Sequence, residues 1–120
     1  MIISSHAVRA HETAKIIARA IGYPPENIRI DRMLYHANAD RMADQFFDVP
    51  DTVNSIMLVG HNPTFTNFVN LYLDEKIDWL PTSAVACVEF DTDEWIKVPT
   101  AKYNTKFVVT PKEVKNAKKK

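Results

Sequence analysis

The residues best suited to chemistry are a histidine and an arginine, each placed just beyond an apolar run typical of a strand. His61 follows the apolar residues 56–59, and Gly60 between them leaves room for a sharp turn or the approach of a ligand. Pro63 can open a helix, because a missing N–H costs little in the first turn. An imidazole on such a strand-to-helix turn lies near helical N–H groups and favours an anion, although a lone histidine on a turn can equally be structural.

The second candidate, Arg9, lies in the first turn of a predicted helix over residues 6–21, which follows the apolar start of the chain. A guanidinium in this position can hold two oxygens of a phosphate while helical N–H groups approach a third. The alternative is a surface arginine paired with Glu12 or Thr13. Spacing alone leaves both interpretations open.

Both candidates require strands that end at one edge of a sheet, with helices following them. The hydrophobic periodicity predicts strands and helices in alternation, at 1–5 (strand), 6–21 (helix, stopped by Gly22), 28–30 (strand), 39–47 (helix), 56–59 (strand buried on both faces), 65–73 (helix), and 84–90 and 95–98 (strands joined by a four-residue hairpin loop). This order favours an α/β sandwich with a mostly parallel sheet and an antiparallel edge.

The charge distribution divides the chain into two parts. The formal net charge of the 120 residues is zero, yet residues 100–120 contain seven lysines and one glutamate. We therefore expect a single domain over residues 1–99 and a solvated Lys-rich tail over residues 100–120. The tail could contact nucleic acid or an acidic partner, but it lacks the arginines and interleaved aromatic residues that favour nucleic-acid binding.

The cysteine and hydropathy patterns indicate the cellular setting. Cys87 is the single cysteine, so it excludes an internal disulfide, and it lies in an apolar run typical of a buried residue. No Cys/His cluster has metal-ligand spacing, no apolar run is long enough to span a membrane, and the N-terminus lacks a signal-peptide pattern. We expect a cytoplasmic protein without a structural metal and without membrane association.

Four motifs in order carry a resemblance to a known family. They are Ser4-Ser5-x-x-x-Arg9-Ala10-x-x-Thr13-Ala14, Leu34-Tyr35-x-Ala37, Val59-Gly60-His61-Asn62-Pro63 and Leu80-Pro81-Thr82-Ser83-Ala84. Together they resemble the histidine phosphatase superfamily, and their order and short connections resemble its small SixA-type phosphohistidine phosphatases. The resemblance covers residues 1–98.

The resemblance implies a three-layer, phosphoglycerate-mutase-like sandwich and a phosphatase that works through a phosphohistidine intermediate without metal or cofactor. The substrate would be a phosphorylated protein or a small phosphate ester. His61 and Arg9 match the second histidine and second arginine of the family's phosphate pocket, to which Ser5, Asn62 and Thr82 would also belong. Such a pocket suits phosphoryl transfer, because positive charge and fixed donors stabilise spread-out oxyanion charge.

One departure from the family is large. Arg-His-Gly, the family signature that carries the nucleophile on the first strand, occurs nowhere in the sequence. We expect a chain truncated at the N-terminus, lacking the first strand and helix, and therefore inactive as it stands. The alternative is a non-catalytic module that binds phosphate or a phosphoprotein. Loss of a central strand would expose apolar sheet edges and favour a dimer or a strand-swapped assembly.

The general acid is not distinguished by the sequence. Asp31, Asp40 and Asp44 lie in the region where relatives carry a carboxylate, and none stands out. A phosphoramidate leaving group can be protonated with little help, so we also consider that no such acid is required.

Overall fold

Three short parallel strands form the sheet on which the candidate site is built. The computed structural model describes residues 1–36 and 38–118. Strands β1 (Ile2–Ser4), β2 (Arg29–Ile30) and β3 (Met57–Val59) lie in the order β2-β1-β3. The pairing of β1 with both neighbours is parallel, which confirms the predicted parallel arrangement and the positions of the three strands.

Helix α1 (Val8–Ile21) connects β1 to β2 and begins two residues later than predicted. Ala10, Ala14 and Ala18 are buried along one face, where small side chains let the helix approach the sheet closely. The helix ends at Gly22, which has a φ of 76° in the left-handed region and donates its N–H to helical carbonyls. Glycine adopts this conformation at little cost, so the predicted helix stop is confirmed.

The other helices are short. Helix α2 spans Met33–His36, a 3₁₀ turn spans Pro25–Asn27, and the predicted helix at 39–47 is a 3₁₀ helix over Ala39–Phe46. Helix α3 (Thr64–Asn70) follows β3 as expected but ends three residues before the predicted boundary.

The two faces of β1 bury different hydrophobic clusters, because successive side chains of a strand point to opposite sides. Ile3 packs with Leu34, Met42 and Val49. Ile2 packs with a second group that consists of Ala14, Ala18 and Ile28. The sheet therefore has covered surfaces on both sides in a mixed α/β fold.

Strand β3 is less buried than its sequence predicts. Met57, Leu58 and Val59 are all only partly buried, although their apolar run is typical of a strand enclosed on both faces. Among the strands that the structure describes, β3 pairs with β1 alone, so its other edge carries no strand. The prediction of a strand buried on both faces is therefore wrong, and β3 is an edge strand among the strands described.

A separate two-stranded sheet replaces the predicted antiparallel edge. Strand β4 (Val85–Phe90) pairs antiparallel with β5 (Tyr103–Val109), from Val85 opposite Val109 to Phe90 opposite Tyr103. The predicted hairpin between 84–90 and 95–98 is wrong, because Trp95–Thr100 forms a 3₁₀ helix.

Contacts of Trp95 explain why this segment leaves the sheet. Its indole Nε1 donates to the Val53 carbonyl oxygen at 2.8 Å, and its backbone N–H donates to Asp51 Oδ1 at 3.1 Å. The indole also packs on Phe46, with ring centroids 5.5 Å apart. These long-range contacts hold the segment against the core and override its strand-like composition.

The predicted Lys-rich tail, residues 100–120, is not a tail over its first part. It contains β5, and helix α4 (Pro111–Lys118) follows. The lysine count concealed a strand in which Tyr103 packs on Tyr72 at a centroid distance of 5.1 Å and Lys106 pairs with Glu89 at 3.5 Å. Throughout residues 1–36 and 38–118, the helices are too short or too polar to cross a bilayer.

Candidate functional site

The carboxyl ends of β1 and β3 bring two of the predicted site segments together. Ser4 lies opposite Val59, and the N–H of Ser5 donates to the Val59 carbonyl oxygen at 2.9 Å. Because the two strands are parallel neighbours, the turns that leave them emerge side by side at one edge of the sheet. His61 lies on one of these turns, and the other leads into α1 and Arg9.

Ser5 and His61 are in direct contact. Ser5 Oγ lies 2.8 Å from His61 Nε2, and the same hydroxyl accepts the N–H of Ala7 at 3.3 Å. Ser5 is fully buried. A buried hydroxyl at this distance restrains the orientation of the imidazole.

Burial lowers the pKa of His61 from its usual value of 6.5, and the nearby imidazole of His6 lowers it further. Desolvation disfavours the charged imidazolium, and a second positive charge would add repulsion. Both effects favour the neutral form of His61. A neutral imidazole can donate one hydrogen bond and accept another.

A cavity of about 400 Å³ lies against this turn. Its lining consists of Leu34, His61, Asn62, Pro63 and Thr64. Two predicted site residues, His61 and Asn62, therefore line it. Within the described part of the chain, the lining does not include the other three predicted residues, Arg9, Ser5 and Thr82.

Each of those three residues has a different place. Ser5 meets the site through His61. Arg9 is the second residue of α1 and is exposed, at the edge from which the β1 and β3 turns emerge. Thr82 is also exposed and lies in a turn closed by a hydrogen bond from the Ala84 N–H to the Pro81 carbonyl oxygen at 3.1 Å.

The missing Cβ of Gly60 leaves space for the ring of Phe65. A Cβ built on Gly60 would lie 2.6 Å from Cζ of Phe65, which packs against the core cluster around Ile3. The close approach expected from the sequence is therefore that of the Phe65 ring.

The side chain of Asn62 is occupied by contacts within the protein. Its Oδ1 accepts the N–H of Thr66 at 2.9 Å and the Thr66 hydroxyl at 2.7 Å, while its Nδ2 donates to the Leu80 carbonyl oxygen at 2.6 Å. The N–H of Phe65 donates to the His61 carbonyl oxygen at 3.0 Å. The N–H groups of Phe65 and Thr66 are therefore not available to an anion, contrary to the expected role of the first helical turn.

Thr66 is a residue that the sequence interpretation missed. It is buried, with 3% of its surface exposed, and its Oγ1 accepts the N–H of Leu80 at 2.9 Å. Asn70 makes a similar pair of bonds one turn later, to the N–H and carbonyl oxygen of Ile77, both at 2.9 Å. Polar residues at 62, 66 and 70 repeat every fourth position on one side of a helix, which was the available signal.

Carboxylates near the site carry no metal-binding pattern. Among the residues that the structure describes, no group of three or more histidines, cysteines, aspartates or glutamates could hold a metal ion. Asp31 Oδ1 accepts the N–H of Met33 at 2.9 Å, and Asp31 Oδ2 lies 3.9 Å from Arg29 Nη2. Asp44 is exposed, and the side chain of Asp40 lies outside the described part.

Comparison with known proteins gives a likeness of fold. No protein-family model matches the sequence, and no curated protein matches it. A solved structure named "Putative Phosphohistidine Phosphatase SixA", from Nakamurella multipartitia, is similar with a TM-score of 0.70 and 19% sequence identity. The match covers 92% of this chain and 70% of that one. The chain thus has a SixA-like, mixed α/β fold with a parallel three-stranded sheet.

Proposed function

We propose that this chain carries the phosphate-binding half of a metal-independent phosphatase that resembles SixA and hydrolyses phosphohistidine or a small phosphate ester. The observation that supports this most directly is the position of His61, at the carboxyl edge of a parallel sheet, held by buried Ser5 and lining a cavity. The SixA-like fold and the family motifs also support the proposal. We place the protein in the cytoplasm, in keeping with its single unpaired cysteine, Cys87.

In this proposal, His61 and Arg9 bind the transferring phosphoryl group. The neutral imidazole donates an N–H to one oxygen, and the guanidinium holds two others, so that negative charge is balanced as it redistributes. Asn62 lines the cavity, Thr82 lies two residues beyond the Leu80 carbonyl that Asn62 binds, and Ser5 orients His61. The bond from phosphorus to the substrate nitrogen or oxygen breaks as a bond from phosphorus to the nucleophilic imidazole forms, and the leaving atom keeps the electron pair and takes a proton from water. Water then releases inorganic phosphate and restores that imidazole.

The nucleophilic histidine is supplied, in this proposal, by a segment that is not among these 120 residues. The free edge of β3 and its partly buried apolar side chains suit the addition of one more strand. Strand β4 also pairs with only one described strand, β5, so an added strand could join the two sheets. The product would be the three-layer sandwich expected from the family resemblance.

Alone, the chain should then bind phosphate without turnover and use the β3 edge to form a dimer or a strand-swapped assembly. The second candidate function is a non-catalytic module that binds phosphate or a phosphoprotein. The absence of Arg-His-Gly from the sequence favours it, because no histidine nucleophile of the family type is present.

Titration with inorganic phosphate, followed by NMR at the His61 ring protons and by calorimetry, tests the binding site. We expect saturable binding that Arg9→Ala and His61→Ala each weaken at least tenfold, since each removes a charge-assisted or fixed donor. Arg19→Ala is the matched control, because Arg19 is an exposed arginine in the last turn of the same helix. No binding by the wild-type chain, or equal binding by all variants, would overturn the proposal.

Hydrolysis distinguishes the two candidate functions. The chain should release no phosphate from a phosphohistidine peptide, and a longer protein in which an Arg-His-Gly strand precedes these residues should release it. Phosphate binding that is retained in a naturally complete protein without such a strand would favour the binding module.

A further inference from the structure

We propose that Asn62 and Thr66 are positioning residues that fix the Thr82 turn beside the His61 turn. The group formed by Asn62, Thr66 and the backbone of Leu80 is called here the Asn62 latch. This inference rests on the proposed function. In that function the latch holds two sides of a phosphate pocket in fixed positions relative to each other.

The latch is a closed set of hydrogen bonds. The Thr66 hydroxyl donates its proton to Asn62 Oδ1 at 2.7 Å and accepts the N–H of Leu80 at 2.9 Å. Asn62 Nδ2 donates to the Leu80 carbonyl oxygen at 2.6 Å. Both polar backbone groups of Leu80 are thereby held by two side chains from the turn and helix that follow β3.

These hydrogen bonds matter for stability because their groups are buried. Thr66 and Leu80 are buried, with 3% and 7% of their surfaces exposed, and Asn62 is partly buried. A buried polar group that loses its partner is costly, so the latch is stable only when all three members are in place. All of its groups are uncharged amides and a hydroxyl.

The latch restricts Thr82 because the chain between them is short. Two residues span at most about 7 Å, so the Thr82 backbone cannot move far from the fixed Leu80. Ser83, the next residue, has a φ of 63°, in the left-handed region that non-glycine residues rarely adopt. The turn thus has a defined shape as well as a fixed starting point.

Asn62 is adjacent to His61, so the latch joins the Thr82 turn to the residue beside His61, while Ser5 holds the imidazole itself. The Asn62 amide is bound at both ends, and the His61 carbonyl oxygen accepts the N–H of Phe65 at 3.0 Å. The latch therefore fixes the start of the Thr82 turn relative to the His61 turn. Its effect on a ligand is indirect, through the residues that it holds.

Hydrogen exchange of individual amides tests the latch without any ligand. We expect Thr66→Val to increase exchange at the Leu80 and Ala84 amides at least tenfold relative to wild type, and Thr66→Ser, which keeps the hydroxyl, to restore slow exchange. Asn70→Ala is the matched control, since Asn70 binds the backbone of Ile77 in the same loop and should accelerate exchange at Ile77 alone.

A second variant protects this test if Thr66→Val does not fold. Asn62→Asp keeps an oxygen acceptor for Thr66 and removes the donor to the Leu80 carbonyl oxygen, so faster exchange at Ala84 is again expected. Unchanged exchange at Leu80 and Ala84 in folded variants would overturn the latch.

A double-mutant cycle with inorganic phosphate as the probe tests whether the latch positions Thr82. Thr66→Val should weaken phosphate binding about tenfold, the effect of one or two lost hydrogen bonds, and Thr66→Ser should restore it. In a Thr82→Val background, Thr66→Val should change binding less than about twofold, because the residue it positions is already lost.

The outcomes separate the two proposals. Independent losses that multiply in the double variant would show that Thr66 does not act through Thr82 and would overturn its positioning role. Absence of phosphate binding in the wild-type chain would overturn the proposed function, while the exchange measurement would still decide whether the latch holds the turn.

Discussion

Ser5 Oγ lies 2.8 Å from His61 Nε2 and joins the turns that leave two neighbouring parallel strands. The contact spans 56 positions of sequence, and Ser5 has no exposed surface. In the proposed site, Ser5 therefore acts through the imidazole. The proposal gives Ser5 the role of orienting His61 in place of the phosphate contact expected from the motif.

Ser5→Ala should raise the pKa of His61 toward 6.5, because the space left by the hydroxyl admits water near Nε2 and weakens the desolvation that lowers that pKa. NMR titration of the imidazole protons measures the change. Ser4→Ala is the control, since Ser4 Oγ is equally buried but donates to the Ser5 carbonyl oxygen at 2.9 Å. Equal shifts in both variants would contradict the orienting role.

The stability of the fold should increase as pH rises through the range just below 6.5. The pKa of His61 is lowered in the folded state, so in that range the unfolded chain binds more protons than the folded chain. Raising the pH through that range therefore increases the free energy of unfolding. The contribution is complete above pH 6.5 and is lost as pH falls through the folded-state pKa. Urea unfolding of wild type and His61→Gln from about pH 5 to about pH 8 measures the difference.

In that comparison the slope with pH should be smaller for His61→Gln, because glutamine does not titrate. The variant His6→Asn should raise the pKa of His61 by removing the second cause of its depression. A wild-type slope that is unchanged by His61→Gln would assign the pH dependence to another group.

Gly60→Ala should destabilise the protein by about 1–3 kcal/mol, the usual cost of overpacking, because the new methyl group would meet the Phe65 ring. Phe65→Leu in the same chain should recover part of that loss. For Gly22→Ala the surrounding space is open and the cost comes from its φ of 76°, so Phe65→Leu should give no recovery there. Denaturant midpoints of the single and double variants measure both effects.

Self-association through β3 should protect one amide selectively. The Met57 N–H donates to the Met1 carbonyl oxygen at 2.9 Å, so the N–H of Leu58, the next residue, points to the free edge. We expect sedimentation to show a concentration-dependent dimer, with exchange at Leu58 slowed at high concentration and exchange at Met57 unchanged. A monomer at all concentrations with a sharp thermal transition would contradict the use of this edge.

The hydrophobic pattern and the turn residues of the sequence were sufficient to predict the parallel core and the position of His61. The apolar runs at β1 and β3, the alanine face of α1 and the stop at Gly22 depend on neighbours close in sequence. Such local signals are strong because backbone hydrogen bonding and burial of one helix face agree.

Tertiary contacts decided the rest. Trp95 does not lie in the predicted hairpin, because its indole binds Val53 and packs on Phe46. Strand β5 is the partner of β4 instead. Neither contact has a local signature.

The roles within the site were also decided by long-range packing. The motif placed Ser5 and Asn62 beside a phosphate, yet burial against His61 and the bonds to Leu80 direct their polar atoms into the protein. Sequence specifies which side chains are available, while a buried hydroxyl or amide must bond to whatever group the fold brings within reach, and that group is determined only once the chain has packed.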